Sequence, residues 1–287
     1  MSDKFIKDMF GTTQLPKLDF DLSGVLLNAQ RLRGKLSIPG VQPKLSVKLD
    51  KKTNQLISVA EGGTYILKPQ TATFPHIPEN EQCCMDIAEA LGIDVPLHCL
   101  LPLKDGSLAY VVKRFDRQGE EKIHQEDFSQ ILQQDKYKGS VEQIGRKLRE
   151  ISTASGYDQQ LFYERVVLNF ILGNGDAHLK NYSISYKGDT IRLSPAYDIV
   201  CSKLVIPDEE QSAINIDGRK GKLSRTNFDK LAEYLNVPTR VRYDKFDKKF
   251  GAMKDIIKES RVDKNNQANF LNIIKERLLL LELAELK

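Results

Sequence analysis

The feature that most constrains the fold is a short constellation late in the chain. Asp176 and Asn181 lie five positions apart in Gly173-Asn-Gly-Asp-Ala-His-Leu-Lys-Asn181, and Asp198 follows in Ser194-Pro-Ala-Tyr-Asp198. Between the two strings, Tyr182, Ile184 and Tyr186 alternate with Ser183, Ser185 and Lys187; Gly188-Asp189 then breaks the run, and Ile191 and Leu193 resume it. Alternation on both sides of a Gly-Asp pair predicts a hairpin. Upstream, residues 160–172 hold no Gly or Pro. Leu161, Tyr163, Glu164, Val167, Leu168 and Ile171 fall on one helical face, so the spacing predicts a helix with one broad apolar side. Gly173-Asn174-Gly175 can end it, because both residue types tolerate a left-handed cap. A helix, a loop with an Asp and an Asn, a hairpin and a second Asp must therefore fold together.

That order matches the loops that kinases use for phosphoryl transfer. There the first Asp receives or orients the acceptor hydroxyl, and the Asn and second Asp hold Mg²⁺. Two oxygen ligands from separate segments must converge on one hard cation. Taken singly, each residue has a blander reading. An Asp after a Gly is usually a turn residue, and a Tyr-Asp at a strand end is often a helix cap. The joint spacing favours chemistry for Asp176, Asn181 and Asp198. His178 is assigned only the role of orienting the loop.

The same chemistry needs a lysine on a strand for the nucleotide phosphates and an acid on the next helix to position it. Lys68 ends Thr64-Tyr-Ile-Leu-Lys68, and Glu81 lies on a helix opened by Pro78-Glu-Asn-Glu81. Backbone N–H groups at a glycine turn would cradle phosphate. Before Lys68 the candidate is Ser37-Ile-Pro-Gly-Val-Gln-Pro-Lys44, with one glycine. Lys44 either contacts phosphate or is simply exposed.

Residues 1–35 are ambiguous. Strands are predicted at 45–49, 56–59, 64–68, 95–103 and 108–115, with one helix near 78–91. From Asp127 onward the pattern is mainly helical, with three helices after residue 225. This is an α+β pattern: a β-rich N-lobe with one helix, over residues 1–116, and a helical C-lobe over 117–287. The 287 residues suffice for two lobes. No segment has the length and apolarity of a membrane span, and the first residues lack the core of a signal peptide. Cys83, Cys84, Cys99 and Cys201 lack zinc-ligand spacing, which points to a reducing cytoplasm. The net charge is +4 with dispersed lysines, so direct nucleic-acid binding is not expected.

The chain resembles the HipA family of serine/threonine kinase toxins. The resemblance is carried by Gly40-Val-Gln-Pro-Lys44, Ile66-Leu-Lys68, Glu79-Asn-Glu81, Lys113-Arg-Phe-Asp-Arg117, His124-Gln-Glu-Asp127, Gly173 to Asn181 and Pro195-Ala-Tyr-Asp198. It implies a two-lobed protein-kinase-like fold using ATP and Mg²⁺, with Asp176 catalytic and Asn181 and Asp198 on the metal. Nucleotide would be bound by Lys68, Gly40, Val41, Gln42 and Lys44, with Glu81, His178 and Lys180 beside them. It further implies autophosphorylation of Ser37, which ejects the Gly-rich loop. The target would be a translation protein such as an aminoacyl-tRNA synthetase. Because 36 residues precede Ser37, the chain is most similar to the short form, HipT, in which a small antitoxin supplies an N-terminal subdomain; a helix-turn-helix protein is a further expected partner. Two other readings stand beside it. A small-molecule phosphotransferase shares the Asp-x₄-Asn loop, and a silent binding module would keep the fold but lose a metal ligand or the catalytic Asp.

Overall fold

The computed structural model describes residues 1–32, 43–119 and 121–283, without the side chains of 29–32. Ser37, Gly40, Val41 and Gln42 lie outside the described residues. The chain divides into two compact units, 1–82 with 96–121, and 83–95 with 122–287.

The first unit opens with helix α1 (Asp3–Phe10), capped by the Ser2 hydroxyl and ended by Gly11 at φ 70°. Strand β1 (Lys17–Leu18) and helix α2 (Leu22–Leu32) follow. Then come β2 (Leu45–Asp50), β3 (Gln55–Ser58), β4 (Tyr65–Pro69) and helix α3 (Ile77–Ala90), inside which the division between units falls after Gln82. Strands β5 (His98–Pro102) and β6 (Leu108–Lys113) complete a six-stranded sheet of order β1-β3-β2-β4-β6-β5. Only β1 with β3 is parallel. A small ribbon pairs β7 (Arg117–Gln118) with β8 (Glu121–Lys122).

The ambiguous N-terminal stretch is structured over residues 1–32, and the described residues of this unit carry three helices where the sequence predicts one. The reason is packing. Ile6, Met9 and Phe10 of α1, Leu18 of β1 and Val25 of α2 join one buried cluster with Leu45, Val47, Leu56, Leu67 and Val111 of the sheet. The Tyr65 hydroxyl donates to the Met9 carbonyl at 2.9 Å. At ~1.5–3 kcal/mol per buried large apolar side chain, these contacts outweigh weak local propensity.

In the second unit β9 (His124–Asp127) leads into α4 (Phe128–Leu132), where Asp127 and Gln130 form a capping box. Helices α5 (Val141–Ile151) and α6 (Ser155–Ile171) follow. The predicted hairpin is β10 (Ser183–Lys187) and β11 (Thr190–Leu193), with Gly188 at φ 58° in its two-residue turn. Strand β9 adds a third strand, pairing Ser183 with Asp127. Helices α7 (Arg225–Tyr234), α8 (Phe250–Glu259) and α9 (Lys264–Leu280) end the described chain.

Helix α6 corrects the one-sided expectation. From Phe162 to Ile171 every residue is buried, including Glu164, Arg165 and Asn169. Two of these three are held by partners, Glu164 by Lys245 at 3.1 Å and Asn169 by the Tyr182 hydroxyl at 3.1 Å, whereas Arg165 Nε and Nη2 meet no hydrogen-bond acceptor among the described residues. Near its start, buried Asp158 accepts from Arg192, from the Leu193 N–H at 2.9 Å and from the Ser152 hydroxyl at 2.6 Å, fastening α6 to the hairpin. The helix ends in a Schellman motif. The Gly173 N–H reaches the Phe170 carbonyl, the Asn174 N–H reaches the Asn169 carbonyl, and Gly173 sits at φ 68°. Among the described residues no helix is long and apolar enough to cross a membrane, and all four cysteines are free and buried.

Candidate active site

Each unit holds one cluster of the predicted residues. In the first, Lys68 on β4 is opposite Tyr110 on β6 in the sheet register, and its ammonium lies 5.6 Å from the Tyr110 ring centre. Its Nζ meets Glu81 Oε1 at 2.5 Å, with the side chains 5% and 1% exposed. A buried ammonium is tolerated only when paired and hydrogen-bonded. The first turn of α3 is fixed from the strand side as well. Gln70 Nε2 donates to both carboxylate oxygens of Glu79, at 2.8 and 2.7 Å, and Gln70 Oε1 accepts the His76 N–H at 2.9 Å. Lys44, just before β2, is half-buried.

In the second unit the loop after α6 carries Asp176, whose side chain is exposed. A turn of 3-10 helix, Leu179–Asn181, brings Asn181 back under His178, and Asn181 Oδ1 accepts the His178 N–H at 2.9 Å. The hairpin then returns the chain so that Asn181 Nδ2 donates to Asp198 Oδ2 at 3.2 Å. Asp198 itself sits at φ 60°, a left-handed conformation that Asp tolerates better than most residues. The amide and carboxylate are thus side by side, as their spacing in the sequence requires. Lys180 is half-buried, and its carbonyl accepts the Tyr197 hydroxyl at 3.0 Å. Burial pushes the His178 imidazole below its ordinary pKa, partly opposed by the negative charge of Asp176.

Three residues outside the sequence motifs belong to these clusters. Tyr137 donates its hydroxyl to Asp176 Oδ1 at 2.9 Å. Glu209 accepts the Gly175 N–H at 3.2 Å and the Ser202 hydroxyl at 2.6 Å, and burial raises its carboxyl above the usual range. Gln70 holds Glu79. None lies in a local pattern that announces it. Tyr137 comes 39 positions before its partner and Glu209 34 positions after Gly175. The clearest hint was Gly175 itself. A Cβ there would stand 2.4 Å from the Glu210 carbonyl oxygen and 2.5 Å from Glu209 Cδ, so the loop accepts glycine alone without shifting.

Asn181 and Asp198 each carry a hard oxygen of the kind a divalent cation such as Mg²⁺ takes, although here Asn181 turns its Nδ2 to Asp198 and its Oδ1 to the His178 N–H. With a buried strand lysine on a helix glutamate, and a loop Asp beside an Asn–Asp pair, the class defined is a kinase-like α+β protein. Comparisons with known proteins agree. The family model of the HipA-like C-terminal domain matches residues 36–267, and the chain belongs to that family. It is 40% identical over 218 residues to "Putative kinase Y4dM" of Sinorhizobium fredii, covering 69% of this chain and 52% of that protein. It is 28% identical over 207 residues to the serine/threonine-protein kinase toxin HipA of Shewanella oneidensis, covering 64% of this chain and 47% of that protein. The chain thus spans about half the length of the curated relatives it matches. Among solved structures, HipA of Shewanella oneidensis MR-1, in a complex with HipB and operator DNA, superposes with a TM-score of 0.71 at 23% identity. That match covers 87% of this chain and 66% of that one. The Helicobacter pylori proinflammatory kinase CtkA gives 0.57 at 14% identity, covering 83% and 91%. These structural likenesses establish the fold.

Proposed function

We propose that this chain is an ATP-dependent serine/threonine protein kinase and the toxin of a toxin-antitoxin pair. The observation that carries the reading is the return of Asp198 to Asn181 behind a loop that presents Asp176. Lys68, fixed by Glu81, holds the nucleotide phosphates, with Lys44 and Lys180 as further cations and the backbone of Gly40, Val41 and Gln42 as the phosphate cradle. Asn181 and Asp198 would hold Mg²⁺, which would supply positive charge against that developing on the phosphates. Asp176 orients the acceptor hydroxyl and takes its proton. The acceptor oxygen bonds to the γ-phosphorus, the bond from that phosphorus to the β-γ bridging oxygen breaks, and ADP leaves. His178 keeps the loop in shape through Asn181. In this reading residues 1–116 form the nucleotide lobe and 117–287 the catalytic lobe.

The finer assignments rest on the family. The acceptor is a translation protein such as an aminoacyl-tRNA synthetase. A small antitoxin, as for the short form HipT, and a helix-turn-helix protein neutralise the chain. Phosphorylation of Ser37 adds about two negative charges beside the phosphate cradle and lowers ATP affinity. Calorimetric titration with ATP tests the core of this reading. The wild type should bind more tightly with Mg²⁺, and Asp198→Ala should lose that increment; metal-independent affinity in both contradicts it. Phosphoproteomics of cells expressing the chain, against an Asp176→Ala control, identifies the acceptor, and growth assays with neighbouring gene products test the antitoxin.

A further inference from the structure

The catalytic loop has a partner that the family motifs do not include. Tyr137 lies in the loop between α4 and α5, and its phenol donates to Asp176 Oδ1 at 2.9 Å. Among the described residues no other hydrogen-bond donor reaches that carboxylate. The side chain of an exposed Asp turns readily about its last torsion, which is broad and nearly two-fold. Held at one oxygen, it keeps one plane.

Tyr137 is itself held from several sides. Its N–H donates to Asp135 Oδ1 at 3.0 Å, and its carbonyl accepts the Lys220 ammonium at 3.3 Å. The preceding carbonyl, of Lys136, accepts the Leu179 N–H at 3.1 Å, which joins this loop to the catalytic loop directly. The ring stands edge-on to His178, with centres 5.3 Å apart and planes at 71°. The Lys136 ammonium lies 4.5 Å from the centre of the Tyr137 ring. Tyr137 is 43% exposed, and these contacts at its N–H, carbonyl and ring aim its hydroxyl at the catalytic loop.

We propose that Tyr137 is a positioning residue for Asp176, engaging Oδ1 so that Oδ2 is the oxygen presented to the acceptor hydroxyl. The inference rests on the kinase reading, in which Asp176 receives that hydroxyl. The effect belongs on turnover and not on nucleotide binding, since Tyr137 acts through the carboxylate that meets the acceptor. Misorientation of a reacting group by a fraction of an ångström to an ångström lowers rates by about ten- to a hundredfold.

The test compares wild type, Tyr137→Phe and Asp176→Asn, with γ-labelled ATP, Mg²⁺ and a degenerate serine- and threonine-containing peptide library as acceptor. Tyr137→Phe keeps the ring on His178 and removes only the hydroxyl. It should cut kcat about tenfold with KM for ATP and the melting temperature unchanged. A non-kinetic reading comes from ¹³Cζ-tyrosine NMR. The resonance that disappears in Tyr137→Phe should move in Asp176→Asn, since the two groups share a hydrogen bond. Wild-type kcat in Tyr137→Phe overturns the proposal, and so does a raised kcat, which is the signature of a blocking hydroxyl. So does a Tyr137 resonance indifferent to Asp176→Asn. The kinase reading fails separately, and takes the inference with it, if the wild type transfers no phosphate or if Asp176→Asn transfers as fast as the wild type.

Discussion

Gly175→Ala probes the loop that presents Asp176 by adding a single methyl group. A Cβ at this position would be 2.4 Å from the Glu210 carbonyl oxygen and 2.5 Å from Glu209 Cδ. Ordinary contact begins near 3.4 Å, so something must move by about 1 Å. The nearest obstacle is backbone and cannot rotate away as a side-chain tip could. Two consequences follow. The Gly175 N–H loses its 3.2 Å bond to Glu209, and Asp176, the next residue, is displaced. Overpacking of this kind costs about 1–3 kcal/mol of stability, and a 1 Å misplacement near a reacting group costs about a hundredfold in turnover. Gly156→Ala is the matched control. It lies in α6, nothing stands within 4 Å of its added Cβ, and it should leave turnover alone while adding up to ~1 kcal/mol of stability. Urea unfolding and peptide phosphorylation measure both quantities. If Gly175→Ala matches Gly156→Ala in stability and rate, the argument from the close approach is wrong.

Three further outcomes are expected. Glu81→Ala leaves the Lys68 ammonium buried without its carboxylate and should destabilise by about 3–5 kcal/mol in urea unfolding, whereas Lys68→Met with Glu81→Leu should recover most of that loss without recovering ATP binding. Asp158→Asn replaces a buried carboxylate that accepts from Arg192, the Leu193 N–H and the Ser152 hydroxyl with an amide that has one acceptor oxygen fewer, and should cost about 1.5–3 kcal/mol by the same assay; a loss below ~1 kcal/mol contradicts it. For Glu209 the sign follows from its raised pKa. The folded state binds the proton more tightly than the unfolded state. Its contribution to stability is therefore most favourable below the ordinary carboxyl range and is lost as pH rises through the higher folded value. Glu209→Gln keeps an acceptor for Gly175 and Ser202 and should flatten stability against pH in that window; curves that stay parallel refute the assignment.

Much of the candidate site was legible because its residues sit at fixed offsets from local breaks in pattern. Gly173 ends α6, Gly188 turns the hairpin, and Asn181 and Asp198 are placed by those two events. The Lys68–Glu81 pair was legible from order alone, a strand lysine followed by a helix acid. What stayed hidden is what long-range packing decides. Residues 1–32 form α1, β1 and α2 because Met9, Phe10 and Val25 find a sheet to cover, and no short window of sequence contains that sheet. Helix α6 reads as one-sided because Arg165 and Asn169 fall outside the apolar set; both are buried, as is Glu164, which pairs with Lys245. Tyr137 and Glu209 were invisible for the same reason, since each meets its partner across more than thirty residues of chain.

The most direct test of the account is transfer of labelled γ-phosphate from ATP-Mg²⁺ to protein by wild type and by Asp176→Asn, with unfolding curves recorded for both. Asp176 is exposed and sits outside the core, so the substitution should leave stability within ~0.5 kcal/mol and lower transfer by several orders of magnitude. A folded Asp176→Asn protein that transfers phosphate at the wild-type rate would contradict the central claim.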